Sequence, residues 1–241
     1  MLNRLIKSVA NSVITPIVVL KRYRDATKEI EKVKKVESTL CMKHLKNTKI
    51  LDNRISLLSK LKKGGVVAEV GVASGEFSEQ ILNYCKPKSL HLIDYWKKNK
   101  RAHGVSPTSI IRSFLGSSEQ DWNVVNNKFE QEIGSGNVEL HRGYSWDMLA
   151  ELPDYSLDWV YIDAAHDYVS VSKDLEVARI KVKEDGIIAG HDYVRWGKFG
   201  YKCGVVDAVN EFCILNDYEL LFLTNEARYP ASFAIRKNTS W

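Results

Sequence analysis

The residues of this chain that carry chemistry are acids standing at the ends of short apolar runs. Residues 66–78 read V-V-A-E-V-G-V-A-S-G-E-F-S. The run Val66–Val70 predicts a buried strand that delivers Glu69. A turn containing Gly71, Ser74 and Gly75 follows, and Glu76–Cys85 has helical spacing with Phe77, Ile81 and Leu82 inward. Glycines in such a turn let the backbone approach a ligand, and the free N–H groups of the new helix favour its polar or anionic end. The dinucleotide pattern G-x-G-x-x-G is broken, because Ala73 and Glu76 occupy its second and third glycine positions. A phosphate-gripping loop is disfavoured as well, since Glu69 and Glu76 flank the turn and no lysine lies between them. Acid suits a ligand with a positive centre. Glycine-bearing turns also occur in ordinary α/β proteins, so the motif needs support.

Support comes from the next apolar run. Ser89–Ile93 ends in Asp94, 19 residues beyond Gly75. An acid at the tip of a second strand can accept hydrogen bonds from ribose hydroxyls; it can also cap the following loop. Tyr95 and Trp96 come next and offer ring faces to an adenine.

A third group points to catalysis. Asp163 ends the run Trp159–Ile162 and His166 lies 3 residues on, while His191 and Asp192 end Gly186–Ala189. In a parallel sheet these ends adjoin at the carboxyl edge, where ligands bind. Asp163 and Asp192 could hold a hard cation such as Mg2+ through oxygen. Such an ion would orient neighbouring hydroxyls and lower the pKa of one, with His166 or His191 taking the proton. The competing reading makes Asp163 a ligand of a cofactor amine and leaves the histidines as loop hydrogen-bonders. Beyond them, Tyr193–Gly204 mixes Trp196, Phe199 and Tyr201 with Arg195, Lys198 and Lys202, a mixture suited to a sugar ring or a phosphate, or to folding back on the core.

These residues are positioned by alternating elements. Strands are expected at 66–70, 89–93, 138–141, 159–162, 186–189, 218–223 and 232–236, with helices at 76–85, 121–133, 169–183 and 205–213. The alternation predicts an α/β fold with a doubly wound, mostly parallel seven-stranded sheet. The last two strands have no helix between them, so one antiparallel strand is expected at the end. A helix is also expected over Ile50–Lys62, closed by Gly64-Gly65. The boundary falls there, with residues 1–63 a basic helical extension and residues 64–241 the catalytic domain. Residues 97–118 are too long for a plain connection and suit a lid or a surface excursion.

The stretches E-V-G-V-A-S-G, L-I-D-Y-W, L-D-W-V-Y-I-D-A-A-H-D-Y and D-G-I-I-A-G-H-D-Y together resemble a class I S-adenosylmethionine-dependent methyltransferase, Rossmann-like in fold. Within that class they resemble the branch of metal-assisted macrocin- and novobiocin-type sugar O-methyltransferases. The resemblance covers about residues 50–236. It implies that Glu69, Gly71 and Gly75 line the methionine part of S-adenosylmethionine, with Ser74 in the same turn, and that Asp94 binds the ribose. It also implies that Gly143, Tyr144 and Ser145 border the adenine. Many relatives carry an aspartate in that last loop, whereas the nearest acid here is Asp147. The sugar methyltransferases also have adjacent acids where this chain has His191-Asp192.

Charge is unevenly spread. Residues 1–63 hold 16 Lys and Arg against 5 Asp and Glu, and the remainder 19 against 25. A basic front end suits an anionic neighbour, or is a solvated helix. Ser8–Leu20 is apolar but too short to span a bilayer, and Pro16 without a cleavage site argues against a secretory signal. Peripheral membrane contact through residues 1–40, docking on the chain's own domain and a homo-oligomer contact all suit it. Four scattered cysteines with no C-x-x-C pair predict reduced thiols and a cytoplasmic protein, with membrane association through the basic end. The resulting reading is methylation of a hydroxyl on a small-molecule, sugar or glycoconjugate acceptor. RNA methylation is encouraged by the basic end, but no N-P-P-Y-type signature follows the fourth strand. A non-catalytic cofactor-binding scaffold recruited to a membrane is the remaining alternative; retention of Asp163, His166, His191 and Asp192 together argues against it.

Overall fold

The structure is a computed structural model that describes residues 38–96, 118–196, 202–226 and 230–238. Thr39–Trp241 form one compact unit. In chain order its elements are α1 (Met42–Leu45), β1 (Lys49–Leu51), α2 (Arg54–Leu58), β2 (Val66–Val70), α3 (Glu76–Cys85), β3 (Ser89–Asp94), α4 (Glu119–Lys128), α5 (Glu130–Gly134), β4 (Val138–Arg142) and α6 (Ser145–Glu151). They continue with β5 (Leu157–Ile162), α7 (Tyr168–Lys181), β6 (Val182–Gly190), α8 (Val205–Asn216), β7 (Tyr218–Thr224) and β8 (Phe233–Lys237).

The strands form an eight-stranded sheet in the order β1-β7-β8-β6-β5-β2-β3-β4. Only β8 runs against its neighbours, pairing antiparallel with both β6 and β7. The expected antiparallel final strand is therefore present. From β2 the chain winds outward through β3 to β4, then returns to β5 on the other side of β2 and proceeds to β6. That reversal opens a crevice at the carboxyl ends of β2 and β5, where open α/β sheets bind ligands.

Alternation along the strands sorts the core onto two faces. Ala68, Val70, Val160 and Ile162 pack with Leu149, Val171, Leu175, Val209 and Phe212 from α6, α7 and α8. Val67, Leu90, Leu92, Trp159 and Tyr161 pack on the other side with Leu57, Phe77, Ile81 and Val125 from α2, α3 and α4. Burial on both faces explains why β5 is apolar or aromatic at five of its six positions: every residue in it is buried, Asp158 included. α7 begins where Asp167 accepts a hydrogen bond from the Ser170 N–H at 3.0 Å, and Arg179 and Lys181 lie in its last turn, where cations favour the helix carboxyl end.

Several expectations need correction. Among the described residues the sheet has eight strands rather than seven, because β1 pairs in parallel with β7 along its outer edge. Residues 50–62 are thus not one helix but the end of a strand and the five-residue α2, whose start is fixed by the Asn53 side chain accepting from the Ser56 N–H at 2.9 Å. The compact unit accordingly takes in residues 39–63, which the sequence pattern assigned to the extension. The helix expected at 121–133 is two helices, broken at Phe129 (φ −109°, ψ 23°) as its ring turns into the core. Residues 1–37, with the apolar segment Ser8–Leu20, lie outside the described residues, as do 97–117 and 197–201. Among the described residues no helix is long and apolar enough to cross a membrane.

Candidate functional site

The turn from β2 to α3 is built by close contact with two neighbouring strand tips. Gly71 adopts φ +94°, and a Cβ there would lie 2.1 Å from the carbonyl oxygen of Asp163. Gly75 adopts φ +77°, with the Phe129 ring 2.8 Å from where its Cβ would be. Both glycines are thus demanded by sterics as well as by backbone conformation. Ala73 shares the left-handed conformation at φ 49°, and the Asp94 carboxylate secures it by accepting the Ala73 N–H at 2.9 Å. The other Asp94 oxygen accepts the Trp96 N–H at 3.1 Å. Ser74 stays local, its hydroxyl donating to Glu76 at 3.0 Å.

Glu69 is buried beneath this turn, and the Ser78 hydroxyl donates to it at 2.5 Å. Burial pushes its carboxyl up to about 8; the Ser78 hydrogen bond opposes the shift, and the negative charges of Asp163 and Asp94 add to it. Those charges reach Glu69 because β3 and β5 flank β2 in parallel, in register with its carboxyl end.

Of the aromatic residues expected around the adenine, Trp96 is a correction. It is fully buried, its indole N–H donates to the Ala73 carbonyl at 2.9 Å and its ring meets Trp122 edge-on, so neither face is free for a ligand. Tyr95 and Tyr144 do come together, stacked at 4.8 Å between ring centroids. Tyr144 stacks in turn on Trp146 at 5.2 Å, making a row of three rings in which the two tyrosines are exposed and Trp146 is half-buried. Ser145 is the first residue of α6 and is half-buried.

At the ends of β5 and β6 the expected acid–histidine group assembles. The Asp163 N–H donates to the Val70 carbonyl at 2.7 Å and the His191 N–H to the Ile162 carbonyl at 3.0 Å, which fixes both tips relative to β2. His166 Nε2 lies 2.8 Å from Asp192 Oδ2 and 3.9 Å from Asp163 Oδ1. His191 Nδ1 lies 3.4 Å from Asp192 Oδ2 and 3.8 Å from Asp163 Oδ1. The carboxylates of Asp163 and Asp192 hold the His166 imidazole up to about 10. Burial opposes a charge on His191, yet the hydrogen bond to Asp192 and the nearby acids raise it. For Asp192 burial favours the neutral acid, and the two imidazoles overturn that, holding it well below the usual carboxylate range. Asp192 itself adopts φ 55°, a strained conformation for a non-glycine residue that turns the chain sharply after β6.

Ligand atoms of Asp163, His191 and Asp192 converge within 4.8 Å of one another. Two carboxylates and an imidazole suit a divalent cation such as Mg2+. The same carboxylates that raise His166 make this point favourable to positive charge. Further on, Arg195 forms an ion pair with Asp207, and Trp196 is exposed and bridges to Lys202. Arg195 is therefore committed to the fold, while Lys198, Phe199 and Tyr201 lie outside the described residues.

Three residues escaped the sequence reading. Trp146 extends the aromatic row. Asp174 is fully buried on α7, and burial raises its carboxyl to about 7. Arg54, in α2, lays its guanidinium over the Phe77 ring at 4.8 Å, and its positive charge is felt at Glu69, Tyr161 and His191. Among the described residues it has no carboxylate within ion-pair distance. Only the arginine's position at the start of a helix on the sheet's outer edge brings it to the crevice, and local sequence does not signal that.

The model of a methyltransferase-domain family matches residues 68–193, a span that contains Glu69, Asp94, Asp163, His166, His191 and Asp192. No curated protein matches. Among solved structures, a candidate rRNA methylase from Clostridium thermocellum gives a TM-score of 0.54 at 13% identity, over 79% of this chain and 99% of its own. A candidate methyltransferase from Streptococcus mutans, solved in complex with S-adenosylhomocysteine, gives 0.51 at 15% identity over 77% and 96%. A methyltransferase dependent on S-adenosylmethionine, from Aquifex aeolicus, gives 0.51 at 15% identity over 85% and 96%. These structures share the fold, and the family match singles out no sugar-modifying branch. Taken with the strand order and the family match over half of its length, this chain belongs to the methyltransferase-domain family and is a class I S-adenosylmethionine-dependent methyltransferase.

Proposed function

We propose that the enzyme transfers the methyl group of S-adenosylmethionine to a hydroxyl of a sugar or glycoconjugate. The observation that carries this reading is the group Asp163–His166–His191–Asp192, set at strand tips directly beside the β2–α3 turn. Such a group can take a proton from an acceptor, which a hydroxyl must lose as it is methylated.

In this reading Asp94 receives the ribose hydroxyls, and Tyr95 and Tyr144 offer ring faces to the adenine. Asp163 sets negative charge near the methionine part, which carries the sulfonium and the ammonium, and the buried Glu69 carboxyl lies beneath the turn. Arg54 faces the methionine carboxylate. The acceptor oxygen attacks the methyl carbon in line as the carbon–sulfur bond breaks, so orientation of the two reactants supplies much of the rate gain. The hydroxyl proton passes to the imidazole of His166, which must be neutral to take it. A divalent cation held by Asp163, His191 and Asp192 would polarise the acceptor hydroxyl and lower its pKa.

The test is methyl transfer from isotopically labelled S-adenosylmethionine to a panel of glycosides and glycolipids, with RNA and protein as competitors. Label is expected in an alkali-stable methyl ether, with Asp163→Asn lowering turnover at least 100-fold while S-adenosylhomocysteine still binds. Label recovered in nucleic acid or on a protein amine would overturn the choice of acceptor. Turnover undiminished by exhaustive EDTA treatment would remove the cation.

A further inference from the structure

Across β2 from the acid–histidine group, β3 and β4 bring together three residues with no part in the reaction above. The parallel register pairs His91 with Glu139 and Ile93 with His141, and alternation puts His91, Glu139 and His141 on one face. His91 Nδ1 lies 3.0 Å from His141 Nε2 and 3.7 Å from Glu139 Oε2. The three ligand atoms all fall within 4.8 Å of one another.

We propose that His91, Glu139 and His141 form a binding site for Zn2+ that clamps β4 to β3. Metal–nitrogen and metal–oxygen bonds of about 2.0–2.2 Å at tetrahedral angles place ligand atoms about 3.3 Å apart. The observed 3.0 and 3.7 Å separations bracket that value, so small side-chain rotations suffice to close the site. Two imidazoles and one carboxylate are a donor set typical of zinc, and a fourth position is left for water on the side where Glu139 is exposed. Burial lowers both imidazoles, leaving them neutral and able to donate lone pairs.

The location gives the ion a task. Among the described residues β4 is the last strand of the sheet and pairs only with β3. Three residues beyond His91 is Asp94, and three beyond His141 is Tyr144, two of the residues assigned to the cofactor above. An ion between the strands would hold their tips in fixed relation. The inference does not depend on the acceptor or on the acid–histidine group.

The full-length protein, stripped with EDTA, is to be titrated with Zn2+ by calorimetry and with Co2+ by visible absorption. Asp192→Asn serves as background, because it disables the other cluster that could take a metal. One equivalent of Zn2+ is expected to bind in that background, with the intense visible bands of tetrahedral Co2+ and a raised melting temperature. Adding His141→Ala should weaken binding at least 100-fold, and adding Glu139→Gln, which leaves both histidines in place, about tenfold. Binding that persists with both substitutions, or that is lost with Asp192→Asn alone, would overturn the proposal. So would the absence of any bound metal while the protein remains folded by circular dichroism.

Discussion

His166 Nε2 and Asp192 Oδ2 meet at 2.8 Å across the gap between the β5–α7 turn and the end of β6. Each holds the other in its charged form. His166 is raised from about 6.5 to about 10, so the stability it contributes is complete below about pH 6.5 and is lost as pH rises through about 10. Asp192 is lowered, so its contribution is present above the ordinary carboxylate value near 4 and is lost as pH falls through its depressed pKa. Asp192→Asn should therefore destabilise the protein by about 2 kcal/mol near pH 6, the worth of a hydrogen bond between charged partners. The deficit should fade toward pH 10.5. Melting temperatures of both proteins across that range check this, and a deficit independent of pH would contradict it.

The same pairing bears on rate. A protonated His166 cannot accept the acceptor's proton, so turnover without added metal should climb with pH up to about 10. His166→Gln should flatten the climb, leaving a slow and nearly pH-independent rate. A climb retained in the variant would assign the proton to another group.

Gly71 tests the backbone contact between β2 and β5. Its Cβ would overlap the Asp163 carbonyl, and φ is +94°. Gly71→Ala should cost roughly 3 kcal/mol or more by strain and overlap together. Denaturant titration reads this directly, and a cost below about 1 kcal/mol would mean that the turn relaxes freely.

Arg54 offers a test that separates the two halves of the cofactor. If its guanidinium faces the methionine carboxylate, Arg54→Ala should weaken S-adenosylhomocysteine about tenfold, or about 1.4 kcal/mol. Binding of 5′-methylthioadenosine, which lacks the amino-acid end, should be unchanged. Equal losses for both ligands in calorimetry would place Arg54's effect on the turn itself, through its contact with Phe77.

Much of this was legible in the sequence because strands buried on both faces are written as plain apolar runs. β2, β3 and β5 show that pattern, and their terminal acids mark the crevice. What was illegible has physical causes. β1 is three residues long and two of them are exposed, so no periodicity marks it, and long-range pairing with β7 defines it. The break at Phe129 follows from packing against Gly75 rather than from any breaker residue. Trp96 reads like its neighbour Tyr95, and only the tertiary contact with Trp122 and Ala73 turns one ring inward while the other faces solvent. The His91–Glu139–His141 grouping needs the strand register, which separates its members by 48 and 50 positions along the chain.

The short strand at the sheet's outer margin changes what counts as the smallest workable piece of this enzyme. A fragment begun at Gly64 would keep all the recognisable motifs yet leave the β1-facing edge of β7 unpaired, a bare template for other chains to add onto. It would also discard the arginine that leans over Phe77. Such a fragment should self-associate and hold its cofactor poorly, so truncation guided by motif boundaries would remove structure that those motifs rely upon.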